Sequence, residues 1–211
     1  MARLEAAEVN ALHARVCKAL ADLNRLLIIN ELRNGPKSVG DIAASLRLSQ
    51  PNVSRHLAVL RDRGFVTAER TGSNVECSLA SPKVLRAMDL LREFMAAELG
   101  PRPAAAAAAA DVSDLHARVC KAIADGKRLL IINELRDSPR SVSELAAALD
   151  IAQANASQHL AILRDRGIVT ARRSGSSIYY GLTSKKIVAA IDLLYEFMTE
   201  RQDVGAIALA G

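Results

Sequence analysis

The sequence predicts a mainly α-helical fold with small β-hairpins, an α+β class, built twice along one chain. Residues 12–95 align with residues 115–198 at a constant offset of 103 without a gap, and 52 of the 84 aligned pairs are identical. Half of the residues are hydrophobic but only 3% are aromatic, so the core must consist of aliphatic side chains, which suits short packed helices. Within each copy, helical spacing of apolar residues gives way to alternation in one short stretch. These observations predict two copies of one small helical domain, each with one hairpin.

Composition and charge limit the classes of protein to which the chain can belong. No apolar run approaches the roughly 18 residues that a membrane span needs, and Glu5 and Glu8 interrupt the segment that would be apolar in a signal peptide. Three cysteines without an export signal favour reduced thiols over disulfides. We therefore expect a cytoplasmic protein with no membrane partner. The net charge of +5 and the pI near 9.4 are compatible with an anionic partner.

The repeat also predicts the domain organisation. Gly100, Pro101 and Pro103 should end the last helix of the first copy, whereas the alanines 104–110 favour a helix that continues into Leu115. A copy of about 95 residues is marginally stable alone, so we expect an intramolecular pseudo-dimer in a monomeric chain. The predicted segments are a first domain at 1–99, a Pro/Ala-rich and partly helical linker at 100–113, a second domain at 114–202 and an apolar tail at 203–211, either frayed or packed on the interface.

Each copy is predicted to begin with three helices. In the first copy, apolar spacing indicates helices at 4–20 and 25–33, the second of which ends at Asn34-Gly35-Pro36. Ser38 with Asp41 forms a capping box that begins a third helix, and the second copy has the same box at Ser141 and Glu144.

A fourth helix, a hairpin and a fifth helix complete the copy. The fourth helix is predicted at Gln50 to Arg63, with Ser49 as its cap and Gly64 as its stop. Alternation on both sides of the turn at 71–74 predicts a β-hairpin. Ser81-Pro82 then begins a helix that runs to about residue 99.

Two short helices joined by a tight turn and followed by a basic hairpin are what a winged helix-turn-helix needs to bind double-stranded DNA. The N-terminus of the second helix offers free amides to phosphate, and its polar side chains can reach base edges in the major groove. The hairpin offers cations and small polar residues to the backbone or the minor groove. The predicted DNA-binding residues are Ser49, Gln50, Asn52, Ser54, Arg55, His56, Arg70, Ser73 and Asn74 in the first copy, and Gln153, Asn155, Ser157, Gln158, His159, Arg172, Arg173, Ser176 and Ser177 in the second.

At these residues the sequence resembles the ArsR/SmtB family of winged-helix repressors. The motifs are Cys-Lys-Ala-Leu-Ala-Asp-Leu-Asn-Arg-Leu-Leu-Ile-Ile from Cys17, Ser-Gln-Pro-Asn-Val-Ser-Arg-His-Leu-Ala-Val-Leu-Arg-Asp-Arg-Gly from Ser49, and their copies from Cys120 and Ala152. Members of that family are normally homodimers joined through their first and last helices. The resemblance implies a dimer of this kind fused head to tail, which represses transcription from an operator with two half-sites.

The two predicted recognition helices differ. Ser49, Pro51, Val53 and Arg55 of the first copy are replaced by Ala152, Ala154, Ala156 and Gln158 in the second. Loss of the Ser49 cap should cost the second helix about 1 kcal/mol, and loss of the arginine removes a guanine contact that contributes roughly 1 to 3 kcal/mol of discrimination. We therefore predict an imperfectly palindromic operator, with half-sites about one helical turn or a multiple apart.

Members of the resembled family often release DNA when a metal or metalloid binds, but their two familiar sites are incomplete in this sequence. The paired cysteines of the third helix are absent from 39–43 and 142–146. The zinc site of the last helix lacks a histidine beside Asp89 and Glu93, and equally beside Asp192 and Glu196.

A different candidate lies on the first helix of each copy, where His13 and Cys17, like His116 and Cys120, stand four residues apart on one face. If the two faces met, two imidazoles and two thiolates could bind Zn(II), Cd(II) or As(III) as an inducer. The stronger alternative is that both cysteines are buried core residues. Thiol oxidation is a further alternative, whereas Cys77 of the hairpin has Tyr180 as its counterpart and does not join the set.

Other functions have less support. The sequence has no glycine-rich phosphate loop, no HExxH motif and no nucleophile elbow, so an enzyme is not predicted. A DNA-binding architectural module, a protein-interaction module, and a repressor that has no inducer all remain alternatives.

Overall fold

The computed structural model describes residues 6–71, 74–99 and 109–202, and each copy has the predicted order of helices with a hairpin before the last one. The elements of the first copy are α1 (Ala6–Leu20), α2 (Leu23–Glu31), β1 (Lys37–Ser38), α3 (Val39–Leu46), α4 (Gln50–Asp62), β2 (Val66–Thr71), β3 (Asn74–Leu79) and α5 (Pro82–Leu99). Those of the second are α6 (Ala109–Ile123), α7 (Gly126–Glu134), β4 (Arg140–Ser141), α8 (Val142–Ala148), α9 (Gln153–Asp165), β5 (Val169–Ser174), β6 (Ser177–Leu182) and α10 (Lys185–Gln202). The predicted fold class is confirmed.

Local capping explains where several helices begin. Asp22 caps α2 by accepting a hydrogen bond from the backbone N–H of Arg25 at 3.0 Å, so the helix begins two residues before the predicted start. The capping boxes at Ser38 and Ser141 are both present, with the serine Oγ accepting from the N3 amide and the N3 carboxylate accepting from the serine amide. Sequence signals at these positions therefore correctly located α3 and α8.

The predicted cap of α4 is wrong. Ser49 is the N-cap residue, but within the described structure its side chain makes no capping hydrogen bond. Ala152 begins α9 with nearly the same backbone, at φ −60° and ψ 140° against −71° and 145° for Ser49. Because the hydroxyl is not used, its replacement by alanine does not cost the second helix the expected 1 kcal/mol.

Each copy contains a three-stranded antiparallel sheet, in the order β1-β3-β2 and β4-β6-β5. Strands β1 and β4 are not predicted from the sequence, because two residues are too few to show an alternating pattern. In the first hairpin Glu69 lies opposite Glu76, and in the second Arg172 lies opposite Tyr179. The pleat therefore places these two pairs at equivalent positions of the two sheets.

The two copies pack together as the predicted intramolecular pseudo-dimer. Two ion pairs show that helices α5 and α10 run antiparallel. Lys83 near the start of α5 binds Glu196 near the end of α10 at 2.7 Å. Lys186 near the start of α10 binds Glu93 of α5 at 2.9 Å. Helices α1 and α6 also pack across this interface, and buried residues of both copies form one continuous core. Such reciprocal pairing is the signature of a two-fold interface.

The alanine-rich run can be followed only in part. Helix α6 begins at Ala109, whereas residues 100–108 and the tail at 203–211 lie outside the described residues. Within the described part, no helix combines the length and the apolar character that crossing a membrane requires.

Candidate DNA-binding surface

The second helix of each helix-turn-helix presents a polar face to solvent. The turn before it passes through a left-handed residue, Arg47 at φ 53° in the first copy and Asp150 at φ 49° in the second. Val53, Leu57 and Leu60 anchor α4 in the core, and their equivalents Ala156, Leu160 and Leu163 anchor α9. The remaining faces carry the predicted residues, which are exposed at Ser49, Gln50, Ser54, Arg55, Gln153, Asn155, Ser157 and Gln158 and half-buried at Asn52.

The histidine of each recognition helix lies closer to the protein than the sequence suggested. His56 places Nε2 3.3 Å from Asn24 Nδ2 and Nδ1 3.5 Å from the cap residue Asp22. His159 lies 3.9 Å from Asp125, and its buried Nδ1 has no hydrogen-bond partner in the described structure. A phosphate or sugar contact by His56 would require it to leave its partners on α2, so its direct role in binding DNA stays a prediction.

The two arginines of the second wing point to opposite faces of the hairpin. Arg173 is equivalent to Arg70 of the first wing, and both are exposed on the sheet face that also carries Cys77 or Tyr180. Arg172 lies on the other, outer face, where the first wing has Glu69. Ser176 is exposed and Ser177 half-buried, whereas Ser73 and the side chain of Asn74 lie outside the described residues.

Apart from Arg172, the residues that distinguish these outer faces are not among the predicted DNA-binding residues. The linear sequence groups Arg172 with Arg173 as one basic cluster and assigns no role to Glu69, Glu76 or Tyr179. The alternation of the strands contained the signal, because neighbouring residues of a strand point to opposite faces.

The four residues of the predicted inducer site are buried at the interface between α1 and α6. Cys17 and Cys120 are at most 1% exposed, and burial raises the pKa of both thiols, that of Cys120 to about 12. The nearby Cys120 thiol raises the pKa of Cys17 further. Burial also lowers the pKa of His13 and His116 to about 4, and the Nε2 atom of each has no hydrogen-bond partner in the described structure. At neutral pH these groups are thus protonated thiols and neutral imidazoles.

These side chains do not fit a metal site as they are arranged. Among the described residues, no three His, Cys, Asp or Glu side chains are grouped closely enough to hold a metal ion, so the predicted four-ligand site is not assembled. The acidic residues of the last helices are also engaged. Both carboxylate oxygens of Asp89 accept from Arg33, at 2.7 and 3.1 Å, and those of Asp192 accept from Arg136 in the same way. The hydrogen bonds from the Arg33 guanidinium lower the pKa of Asp89.

A helix-turn-helix with an exposed polar second helix and a β-hairpin beside it defines a winged helix-turn-helix, the architecture of a DNA-binding protein. The sequence model of the family described as "Bacterial regulatory protein, arsR family" matches residues 22–68 and again residues 125–171. The chain belongs to this family, carries its helix-turn-helix region twice, and is a DNA-binding transcription regulator.

Two curated relatives and one solved structure each match between about a third and a half of this chain. The transcriptional activator HlyU of Vibrio cholerae is 41% identical over 75 residues, which are 36% of this chain and 69% of HlyU. The biofilm growth-associated repressor of Agrobacterium fabrum is 39% identical over 95 residues, 45% of this chain and 78% of the repressor. A solved homodimeric winged helix-turn-helix domain of a possible ArsR-family regulator from Mycobacterium bovis is 30% identical, with a TM-score of 0.42, and covers 52% of this chain and 97% of that one.

Proposed function

We propose that this chain is a single-chain repressor that binds one imperfectly palindromic operator through α4 and α9. One observation carries the proposal: two recognition helices on one fused two-fold scaffold keep equivalent buried anchors but present different exposed side chains. In a homodimer the two recognition helices are identical. Here Arg55 faces solvent where the second copy has Gln158, so the two half-sites are read by different chemistry.

Repression follows from where such a protein sits. A pseudo-dimer that covers two half-sites about one helical turn apart occupies a length of promoter DNA that polymerase then cannot use. The relatives include a protein named as a repressor and another named as an activator. We favour repression because occupying DNA requires only the DNA-binding surfaces proposed on α4 and α9, whereas activation would require contact with a second protein.

The proposal is tested by selecting DNA from a random pool with the full chain and measuring affinity for the selected operator and for random DNA at matched salt. We expect a ratio of about 10³ or more. A much smaller ratio would favour the architectural or protein-interaction module instead.

Matched exchanges then test the difference between the helices. Arg55→Gln should weaken operator binding by roughly 5- to 150-fold, corresponding to about 1 to 3 kcal/mol, and make the half-sites more alike. Gln158→Arg should strengthen binding to an operator whose second half-site is replaced by the first. Equal effects of the same base changes in both half-sites of the wild-type operator would contradict the proposed asymmetry.

Release by Zn(II), Cd(II) or As(III) is tested by repeating the selection with each added separately. A loss of operator binding that is abolished by Cys17→Ser with Cys120→Ser would support the predicted inducer. Unchanged recovery of the operator would remove metals from the proposal and leave a repressor without this mode of release.

A further inference from the structure

We infer that the outer face of the second wing is an additional DNA-backbone surface, that the first wing lacks it, and that this difference extends the contact with DNA beyond the second half-site only. The inference rests on the proposed function, because it concerns the same operator. It goes beyond it by assigning a role to sheet faces that lie apart from the recognition helices.

The second wing gathers phosphate-binding side chains on this face. Arg172 lies opposite Tyr179, and Thr170 lies opposite Gly181, so these residues share one side of the β5-β6 ladder with Ser174. Arginine, tyrosine, serine and threonine are among the residue types that contact phosphate and sugar in protein–DNA complexes. Arg172 is exposed, and among the residues that the structure describes it makes no ion pair. Its charge is therefore available to a ligand.

This face is concave. Pro139 and Leu182 border the polar side chains and enclose with them a groove of about 440 Å³ that opens to solvent. Pro139 packs over Gly181, where a Cβ atom would lie 3.4 Å from Pro139 Cγ. A shallow groove with a cation on one strand and a tyrosine on the other suits an extended anionic chain, and we assign it the phosphodiester backbone that flanks the second half-site.

The first wing has the opposite charge at the same positions. Glu69 replaces Arg172 and Glu76 replaces Tyr179, and the register places the two carboxylates directly opposite each other. Side chains so paired have Cβ atoms about 5 Å apart, and like charges at that distance repel each other and any phosphate. No cation among the described residues forms an ion pair with either glutamate. The outer face of the first wing therefore repels the backbone that the second wing attracts.

The complex with DNA should therefore differ between its two ends. Both wings retain an arginine on the inner face, Arg70 and Arg173, but only the second has the outer contact as well. Protection of the DNA should therefore extend further beyond the second half-site than beyond the first.

Reciprocal exchange of the two faces tests the inference. The first variant, Arg172→Glu with Tyr179→Glu, gives the second wing the charge of the first, and the second variant, Glu69→Arg with Glu76→Tyr, does the reverse. The combined fourfold variant has the wild-type net charge, so it controls for non-specific electrostatics. Hydroxyl-radical footprinting on the selected operator measures how far the DNA is protected by each variant. The affinity for the same operator is measured between about 50 and 200 mM salt, because each phosphate contact contributes about 0.9 to the magnitude of the slope of log K against log salt.

We expect the first variant to lose the extended protection. Its dependence of log K on log salt should become shallower, by about 0.9 for each phosphate contact that is lost. The second should gain protection beyond the first half-site with a steeper slope, and the fourfold variant should move the extension from one flank to the other at nearly unchanged slope. Arg172→Gln, which removes only the charge, should show the same loss on a smaller scale. Specific binding with the same flanks and slopes in all variants would overturn the inference while leaving the proposed repressor intact. Absence of specific binding by the wild type would instead overturn the proposed function.

Discussion

Two buried histidines at the interface, His13 and His116, predict that the folded protein loses stability as the pH falls below neutral. His13 and His116 are each 2% exposed, and burial lowers their pKa from the ordinary value of 6.5 to about 4. Asp192 partly opposes this shift at His13, whereas at His116 the charge of Arg92 adds to it and Asp89 opposes it. The unfolded chain therefore takes up protons at these residues at a higher pH than the folded chain does.

The direction and size of the effect follow from this difference. Stability increases with pH wherever the unfolded state binds more protons, here between about pH 4 and 6.5, so the contribution is complete above pH 6.5 and is lost as the pH falls. Each pH unit within that window is equivalent to about 1.4 kcal/mol per histidine. At pH 5 each histidine should thus lower the free energy of unfolding by about 2 kcal/mol, and the pair should lower it by about 4 kcal/mol. This is a large part of the total free energy of unfolding, which is typically about 5 to 15 kcal/mol.

The double variant His13→Leu with His116→Leu isolates this contribution. It removes two buried Nε2 atoms that have no hydrogen-bond partner among the described residues. The free energy of unfolding at pH 7.5 should therefore change little, by about 1 to 2 kcal/mol in either direction. Urea unfolding followed by circular dichroism at pH 7.5, 6.0, 5.5 and 5.0 should show the wild type losing about 4 kcal/mol more than the variant between the first and last of these pH values. Parallel losses in the two proteins would refute the reasoning, since the histidines would then titrate alike in both states.

Two further predictions use matched pairs of residues. Ser38→Ala should lower the free energy of unfolding by about 1 kcal/mol because it breaks a capping box. Ser49→Ala should change the free energy of unfolding by less than about 0.5 kcal/mol, because that hydroxyl caps nothing within the described structure. Urea titration compares the two variants, and equal losses would contradict the assigned caps. Arg47→Gly should stabilise the helix-turn-helix by up to about 1 kcal/mol and more than Asp150→Gly does, because both residues have positive φ but aspartate tolerates it better. The thermal midpoints decide this, and a larger gain at Asp150 would count against it.

Local signals were sufficient to predict most of the fold. The capping boxes at Ser38 and Ser141 and the alternation around the 71–74 turn depend on residues within a few positions of one another. Such short-range hydrogen bonds and side-chain periods are the same in any tertiary context. The sequence also predicts the polar residues Gln50, Ser54 and Arg55 of α4, which the structure places at the surface.

Other features of the candidate site depended on partners distant in sequence. Asn24 and His56 approach each other only once α2 and α4 have packed. The thiols of Cys17 and Cys120, 103 residues apart, become neighbours whose burial raises their pKa, and the structure does not complete a metal site around them. Burial and long-range contacts decide protonation and ligand geometry, and neither is encoded in local spacing.

The sequence by itself determined that this chain is two copies of a winged helix-turn-helix with unequal recognition helices, because periodicity, caps and identity between copies are properties of the chain. Only the tertiary structure decided how α5 and α10 join the copies, and which face of each hairpin carries which charge. The pairing register brings Glu69 to Glu76 and Arg172 to Tyr179. A shift of one residue in either strand would have placed these side chains on opposite faces, so the electrostatic difference between the wings exists only in the folded sheet.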